Sequence, residues 1–553
     1  MLNYSVAELR KEYYEILRSR SLIGLNRLEE AASQTNEIQN QIKEKVLEKF
    51  KTEPGEKRKK AWDDAKAWFL DILPRIAWET EYPEIINQAF DAVLFGKGIL
   101  LNTEMELKKI IQESKNGEAL RIYQRYIEIA SKYNKMISEQ PDNQAEIKSL
   151  KNKLGEAEKL LLEKSKEFKD YTENLEVTNN EIVQSMTSDE VVVEFHSFYW
   201  DNETYYVAYV LLPNLKNIRQ VKLFSERELR EVMAQNEIYS TPALTKMLWD
   251  KLNLYIEGAK IIYFVSSGLL YNLAIENLPC SNDSTKFMFD KWSMRRLSSS
   301  REIIARNKNV RITNGAIYGG IEYNASGVNN ASLKHSKNRG ALVYLPYALK
   351  EAKSIHKILS SCHVNSDLYL GERGTEKSFK ALSGRKLSII HIGTHGFYEE
   401  ETSDSIAGTK SQEEDLVLSR AGLLFANPVL KQKNESGEDG ILTASEVSVL
   451  DLRGAKLVAL SACQTGLGEI TSEGVYGLQR GFKKAGAEAI IMSLWQVNDE
   501  ATYNLMTEFY LNWIKKGMTK YQSLEAAKRK IRNSRMWHSP FFWAGFILLD
   551  GIN

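Results

Sequence analysis

The sequence predicts an α/β unit built on a mostly parallel sheet with helices on both faces, preceded by an all-α helical-hairpin domain. Three observations predict this. Up to about Val183 glycine and proline are sparse and apolar residues recur three or four apart, the period of one helix face. From Asp189 onward, β-branched runs alternate with amphipathic stretches, as in strands joined by crossover helices. Two of these runs, Leu387 to Ile392 and Lys456 to Leu460, end in the polar turns His391-Ile392-Gly393-Thr394-His395-Gly396 and Ser461-Ala462-Cys463-Gln464-Thr465-Gly466. If the two runs are neighbouring parallel strands, His395 and Cys463 emerge at one carboxyl edge, where open α/β sheets bind ligands.

Taken in order, the first part reads as about five helices, with stripes such as Leu9, Tyr13, Ile16, Leu17 and Leu150, Leu154, Ala157, Leu160, Leu161. Pro54-Gly55, Pro74, Tyr82-Pro83 and Pro141-Asp142 punctuate them. No clean 34-residue period is present, so stacked hairpins and a plain bundle both remain open. Strand signals follow at Val191 to Phe195, Tyr205 to Leu212, Val221 to Phe224 and Ile261 to Val265, with helices at Glu226 to Ala234 and Pro242 to Leu254. A second series begins at Gly315 to Gly320. It continues through a polar loop (Asn324 to Arg339), a helix (Ala348 to Leu359), a strand near Leu368 to Leu370, a helix (Lys377 to Leu382) and the His395 strand. Leu423 to Phe425 is a short strand, and Leu442 to Glu446 starts a helix. After the Cys463 strand come helix Val475 to Lys484, strand Ala489 to Leu494, helices Glu500 to Lys515 and Ser523 to Ile531, and a closing strand, Ala544 to Leu549. The expected domains are residues 1–185, 186–312 and 313–553.

Composition narrows the function classes. Lys+Arg 74 against Asp+Glu 73 leaves a net charge of +1, so no bulk electrostatic case exists for direct nucleic-acid contact or an anionic membrane. The three cysteines, Cys280, Cys362 and Cys463, are odd in number and widely spaced, which argues against a disulfide framework, for a reducing cytoplasmic compartment, and against zinc-ligand spacing. The N-terminus lacks a signal peptide's apolar core, and the longest apolar runs are too short to span a bilayer.

The chemistry points to the two turns. A cysteine nucleophile needs a base and donors for the tetrahedral oxyanion. Cys463 lies where its strand ends and Gly466-Leu467-Gly468 opens the backbone. Gly396, directly after His395, lets a backbone N–H approach an oxyanion, with the Cys463 N–H as second donor. His391 falls inside the strand run and reads as a core histidine. His196 and Cys280 stand alone and read as structural, and His335, His356, His363 and His538 have no acid–thiol arrangement in sequence. Competing motifs fail: Gly371 to Ser378 misplaces its second glycine for a phosphate loop, and no His-Glu-x-x-His or Gly-x-Ser-x-Gly occurs.

From about Val265 onward the chain resembles the CHAT domain, the caspase-like module related to separases and gingipains. The resemblance rests on Gly268-Leu269-Leu270-Tyr271-Asn272, Ile389 to Gly396, Asp439-Gly440-Ile441-Leu442-Thr443-Ala444-Ser445-Glu446, Leu457 to Gly468, Glu473-Gly474-Val475-Tyr476-Gly477-Leu478, Ser493 to Thr502 and Phe542-Trp543-Ala544-Gly545-Phe546. It implies a caspase-like fold and a His–Cys dyad, which falls on His395 and Cys463. It also implies peptide-bond cleavage after a residue chosen by a pocket, in bacterial defence or programmed death. The stretch Phe90 to Leu101 is similar to the helical, tetratricopeptide-like regions that precede such domains and bind partners, although the array here is short.

By the same resemblance Asp499 and Trp495, with Asp439 or Glu446, would line the P1 pocket and favour a basic residue. The other reading of Asp499 is the cap of the helix starting near Glu500. The expected protein is therefore a latent cysteine endopeptidase with a protein substrate, an activating protein partner on the helical region, and no cofactor or metal. Glu399 to Glu414 and Lys431 to Glu438 are its expected gating loops. The alternatives are a catalytically silent scaffold and, third, an acyltransferase or amidase using the same dyad.

Overall fold

The computed structural model describes residues 16–113, 116–140, 142–164, 172, 175–213, 216–235, 237–306, 311–323, 343–399, 414–426, 438–471 and 473–552. The Asn324 to Arg339 loop with His335, and nearly all of both expected gating loops, lie outside the described residues.

The helical region holds more helices than the five expected: Leu28–Thr52, Gly55–Ala67, Leu73–Thr80, Pro83–Gly96, Ile99–Glu113, Gly117–Glu139, Gln144–Lys164 and Asn179–Ser185 are all described. Pro74 does not end a helix. The chain runs helically from Gly55 to Thr80, and the turn just before Pro74, Trp68–Ile72, widens into a π-helix. A proline inside a helix lacks one N–H and crowds the carbonyl one turn back; the wider turn accommodates both. Helices Gly117–Glu139 and Gln144–Lys164 pack on each other, and the second ties back to Gly55–Ala67 through Glu158, which accepts from Gly55 N–H at 2.8 Å and Arg58 Nη2 at 2.5 Å.

Among the described residues the main sheet has eleven strands. They are β1 (Glu190–Trp200), β2 (Glu203–Leu211), β3 (Arg219–Ser225), β4 (Ile261–Val265), β5 (Ser293–Leu297), β6 (Asn314–Ile321), β7 (Asn365–Gly371), β8 (Ile389–Gly393), β12 (Leu457–Ser461), β15 (Ile490–Ser493) and β16 (Phe546–Leu549), in the order β3-β2-β1-β4-β5-β16-β15-β12-β8-β6-β7. The sheet is not one parallel run. β1, β4, β5 and β16 form one parallel block, β15, β12, β8, β6 and β7 another, and the blocks meet antiparallel at β15–β16. The sheet therefore has two carboxyl edges facing opposite ways, and the polar turns after β8 and β12 share one of them. A small sheet, β9 (Gly396–Tyr398), β10 (Ala421–Leu424) and β11 (Ile441–Thr443), stands beside that edge.

Two elements differ from expectation beside the cysteine strand and near the seam. β5 went unread, because Ser293-Met294-Arg295-Arg296-Leu297 carries two arginines whose partners come from other elements; Arg296 pairs with Glu276 at 2.7 Å and Arg295 Nη1 donates to the Tyr263 hydroxyl at 2.8 Å. The helix expected from Val475 begins only at Leu478, after a hairpin of β13 (Gly468–Thr471) and β14 (Gly474–Gly477). Its glycines hid the strand alternation. A Cβ on Gly468 would lie 2.5 Å from Tyr476 O, so only glycine permits this close pairing.

The alternation of side chains along β1 decides how the helical region docks. Val191, Val193 and Phe195 point into the core shared with the sheet's other helices, whereas Val192 and Phe198 join the core of the N-terminal helices. The same face carries Glu194, paired with Lys97 Nζ at 2.6 Å, and His196, whose Nε2 bonds Leu70 O at 2.7 Å. Burial drives the His196 imidazole down to about 3, so it stays neutral. Farther along the chain Asn134 Nδ2 donates to Ser445 O at 2.9 Å, and Leu100 N–H donates to Glu473 at the tip of the β13–β14 hairpin at 3.3 Å.

Candidate active site

β8 and β12 are parallel neighbours, with Gly393 opposite Ser461 at the end of the ladder. His395 and Cys463 each lie two residues beyond that pair, so they leave the same edge side by side. The turn after the cysteine is sharp: Gln464 adopts φ 55°, a left-handed conformation costly for a residue with a side chain. It is held by Ser493, whose hydroxyl donates to Ala462 O at 2.6 Å, and by Gly466 N–H donating to Ser493 O at 2.8 Å. Cys463 is left half-buried rather than packed away.

The imidazole of His395 is oriented from outside its own strand. Nε2 lies 2.8 Å from the carbonyl oxygen of Val343. A carbonyl can only accept, so this nitrogen carries the hydrogen, and in the neutral ring the lone pair falls on Nδ1. Tyr323 adds a second support: its ring centre is 5.0 Å from the imidazole, its hydroxyl accepts from His395 N–H at 3.3 Å, and it bonds Thr394 Oγ1 at 2.6 Å. Burial pushes the Tyr323 hydroxyl up to about 12, so it remains a neutral phenol.

Gly396 presses on the backbone of Cys463: a Cβ built there would lie 2.7 Å from Cys463 O and 3.0 Å from Thr465 Cγ2. Leu424 N–H donates to His395 O and Glu399 N–H to Arg420 O, both at 2.9 Å. Ladder bonds on alternate residues of edge strand β9 thus turn the Gly396 N–H away from β10. Burial raises the Cys463 thiol above its ordinary range; the Val497 N–H lowers it and the nearby Asp499 charge raises it again. The thiol is consequently protonated at neutral pH. Among the described residues it is not hydrogen-bonded to His395.

The four pocket candidates separate. Asp499 comes close to both Cys463 and His395: its charge raises the Cys463 thiol, and His395 lowers the Asp499 carboxyl that burial raises. It is not the cap of its own helix: that helix starts at Asp499, and Asn498 is the N-cap, accepting from Ala501 N–H at 3.0 Å. The Asp499 carboxylate instead accepts from Tyr347 N–H at 3.0 Å, at the start of helix Pro346–Ser361. Trp495 also borders the site, its carbonyl 3.5 Å from Gln464 N and its indole N–H donating to Phe541 O at 2.9 Å.

Asp439 and Glu446 lie elsewhere. They flank β11, two strands from β9, which is roughly 10 Å at ordinary strand spacing. Asp439 accepts from Ile441 N–H at 2.8 Å, and Glu446 completes a capping box with Thr443. Glu446, Glu376 and Glu438 bring carboxylate oxygens within 4.8 Å of one another, and Lys380 Nζ bonds all three at 2.8, 2.6 and 2.6 Å. The lysine takes the place a cation would fill.

His391 sits fully inside, its Nε2 2.7 Å from Glu351 and its Nδ1 3.3 Å from the Tyr510 hydroxyl. Sequence reasoning missed Val343, Tyr323 and the Val497 N–H. Only Tyr323 left a trace, lying just past a strand, β6, that neighbours β8.

The CHAT domain family profile matches residues 240–551, starting 25 residues before Val265. Tetratricopeptide repeat protein 28 of Homo sapiens is 23% identical over 303 residues, which are 52% of this chain and 12% of that protein. Its Mus musculus counterpart is 36% identical over 110 residues, 20% of this chain and 4% of that one. The chain thus spans a small part of the curated relatives it matches. Among solved structures, the Arg-specific cysteine proteinase gingipain R is similar over 54% of this chain and 65% of its own, at 11% identity and a TM-score of 0.34. The Saccharomyces cerevisiae separase–securin complex is similar over 94% of this chain and 40% of its own, at 8% identity and a TM-score of 0.43. Among the described residues no helix is long and apolar enough to cross a membrane.

Proposed function

Because the chain belongs to the CHAT domain family, we propose that it is a cysteine endopeptidase with Cys463 as nucleophile and His395 as base. The observation that carries this reading is the shared edge: strand register sets both residues two positions past a paired Gly393 and Ser461, with the His395 lone pair on Nδ1. In the reaction Nδ1 takes the thiol proton, and the sulfur forms a bond to the carbonyl carbon of the scissile peptide. The developing oxyanion is met by the Gly396 N–H. The imidazolium returns its proton to the leaving amine nitrogen as the C–N bond breaks. Water then enters, giving its proton to Nδ1 and hydrolysing the thioester. A positioned base contributes about 10²–10⁴-fold and an oxyanion donor about 2.7–4 kcal/mol.

The protonated thiol and the missing His–Cys hydrogen bond support latency. The enzyme awaits a protein partner at the helical region, and its role is cleavage of one protein in defence or programmed death. Trp495 walls the P1 pocket. The test is a set of fluorogenic peptides varied at P1, with candidate activating proteins added. Cys463→Ala and His395→Ala are expected to lower turnover at least 10³-fold. Equal cleavage by Cys463→Ala would end the peptidase reading.

A further inference from the structure

We propose that Asp499 is a positioning residue for the catalytic base: by capping a neighbouring helix it holds the Val343 carbonyl on His395. This rests on the dyad reading above. Helix Pro346–Ser361 begins with Leu345 at its N-cap, a residue with no side-chain acceptor. The orphan N–H groups of its first turn need a partner from elsewhere. Asp499 supplies it, accepting from Tyr347 N–H at 3.0 Å and also from the Ala348 N–H. The two helices pack together with Tyr347 6.1 Å from Tyr503, ring centre to ring centre.

The capped turn is three residues from Val343. Residues 343–345 belong to no helix or strand, and Val343 is 67% exposed, so little packing holds it. Its carbonyl nevertheless meets His395 Nε2 at 2.8 Å. What fixes it is the helix start. Ala348 is pressed onto the ends of β6 and β8, where Gly319 and Gly393 leave room for it; a Cβ on Gly319 would lie 2.4 Å from Ala348 O. The link therefore runs from the Asp499 carboxylate through Tyr347 and Ala348 N–H to the Val343 carbonyl and the imidazole. Without it Nε2 loses its acceptor, and only the Tyr323 ring is left to orient the imidazole.

A pocket acid for basic residues and a positioning cap call for different chemistry. Recognition of a P1 arginine needs the charge. A cap needs only an oxygen acceptor, and asparagine serves nearly as well as aspartate. The experiment measures the pH profile of Cys463 alkylation by iodoacetamide in the full chain, for the parent, Asp499→Asn, Asp499→Ala and His395→Ala. Far-UV circular dichroism reports whether each variant is folded. The parent is expected to show an inflection that His395→Ala abolishes. Asp499→Asn should keep that profile within about fivefold, and Asp499→Ala should lose at least tenfold below pH 8 and follow the His395→Ala curve. A parent-like Asp499→Ala profile, or an Asp499→Asn profile as low as that of Asp499→Ala, overturns the proposal. If His395→Ala itself leaves the parent profile unchanged, the dyad reading fails and this inference falls with it. Where circular dichroism signals unfolding, Tyr347→Pro, which deletes one of the capped N–H groups, is read in the same assay, and a parent-like profile there also overturns it.

Discussion

Gly396→Ala separates the oxyanion role from the rest of the site. The added methyl would sit 2.7 Å from Cys463 O, 3.0 Å from Thr465 Cγ2 and 3.5 Å from Ala462 Cβ. Ordinary non-bonded contact is about 3.5 Å or more, so β9 must withdraw from the cysteine turn by roughly 0.8 Å. Overpacking of this kind costs about 1–3 kcal/mol, partly offset by about 0.4–1 kcal/mol from the stiffer unfolded chain. The withdrawal moves the Gly396 N–H off the position of the tetrahedral oxygen, and losing such a donor lowers kcat about 10²–10³-fold. Peptide turnover with the activated chain gives kcat and KM, and urea unfolding gives the stability change. Iodoacetamide alkylation of Cys463 is the control, because displacement of iodide passes through no carbonyl oxyanion. The expected result is a large fall in kcat, little change in KM, and alkylation within about threefold of the parent. Unchanged kcat refutes the oxyanion role. Alkylation falling as far as turnover refutes it as well, since the damage would then lie in the thiol.

Two further outcomes concern the frame around the site. Burial lifts Glu473, at the tip of the hairpin after Cys463, from 4.5 to about 7. The folded chain then binds more protons than the unfolded chain between those values, so this contribution to stability is present below pH 4.5 and is lost as pH rises to 7 and above. Glu473→Gln should flatten that limb and stabilise the chain at pH 8 by an amount on the order of 3 kcal/mol, read by urea unfolding; a pH dependence identical to the parent's would show that Glu473 does not cause it. Lys380→Met leaves Glu376, Glu438 and Glu446 facing one another. It should destabilise by about 3–5 kcal/mol at pH 8 and less at pH 5, where carboxylates can protonate; equal loss at both values would count against charge repulsion as the cause.

Reading the chain residue by residue went furthest where structure is local. The period-three-and-four stripe from Leu150 to Leu161 identified a helix, whereas Leu9 and Tyr13 of the first stripe lie outside the described residues, and the β-branched runs identified β4, β6, β8, β12 and β15 to within a few residues. The two glycine-containing turns placed His395 and Cys463 at strand ends, because a side chain just past a strand has to leave its edge. It failed where local preference and tertiary demand diverge. Pro74 reads as a helix end, yet a widened turn carries the helix through it. Gly468 and Gly477 read as a loop, yet the contact they permit makes a hairpin.

What the sequence by itself determined is therefore which residues stand just past the ends of β8 and β12 and that the chain has a helical part before an α/β part. Only the tertiary structure decided what holds them. The carbonyl that orients His395 comes from 52 residues away, and the carboxylate that caps the Val343 segment from 152 residues away. The even-numbered face of β1 meets the helical region, and Glu446 belongs to Lys380 rather than to the edge of His395 and Cys463. Apolar periodicity records which face of an element is buried. It carries no information about which distant N–H, carbonyl or charge will lie opposite, because those partners are chosen only when the elements pack.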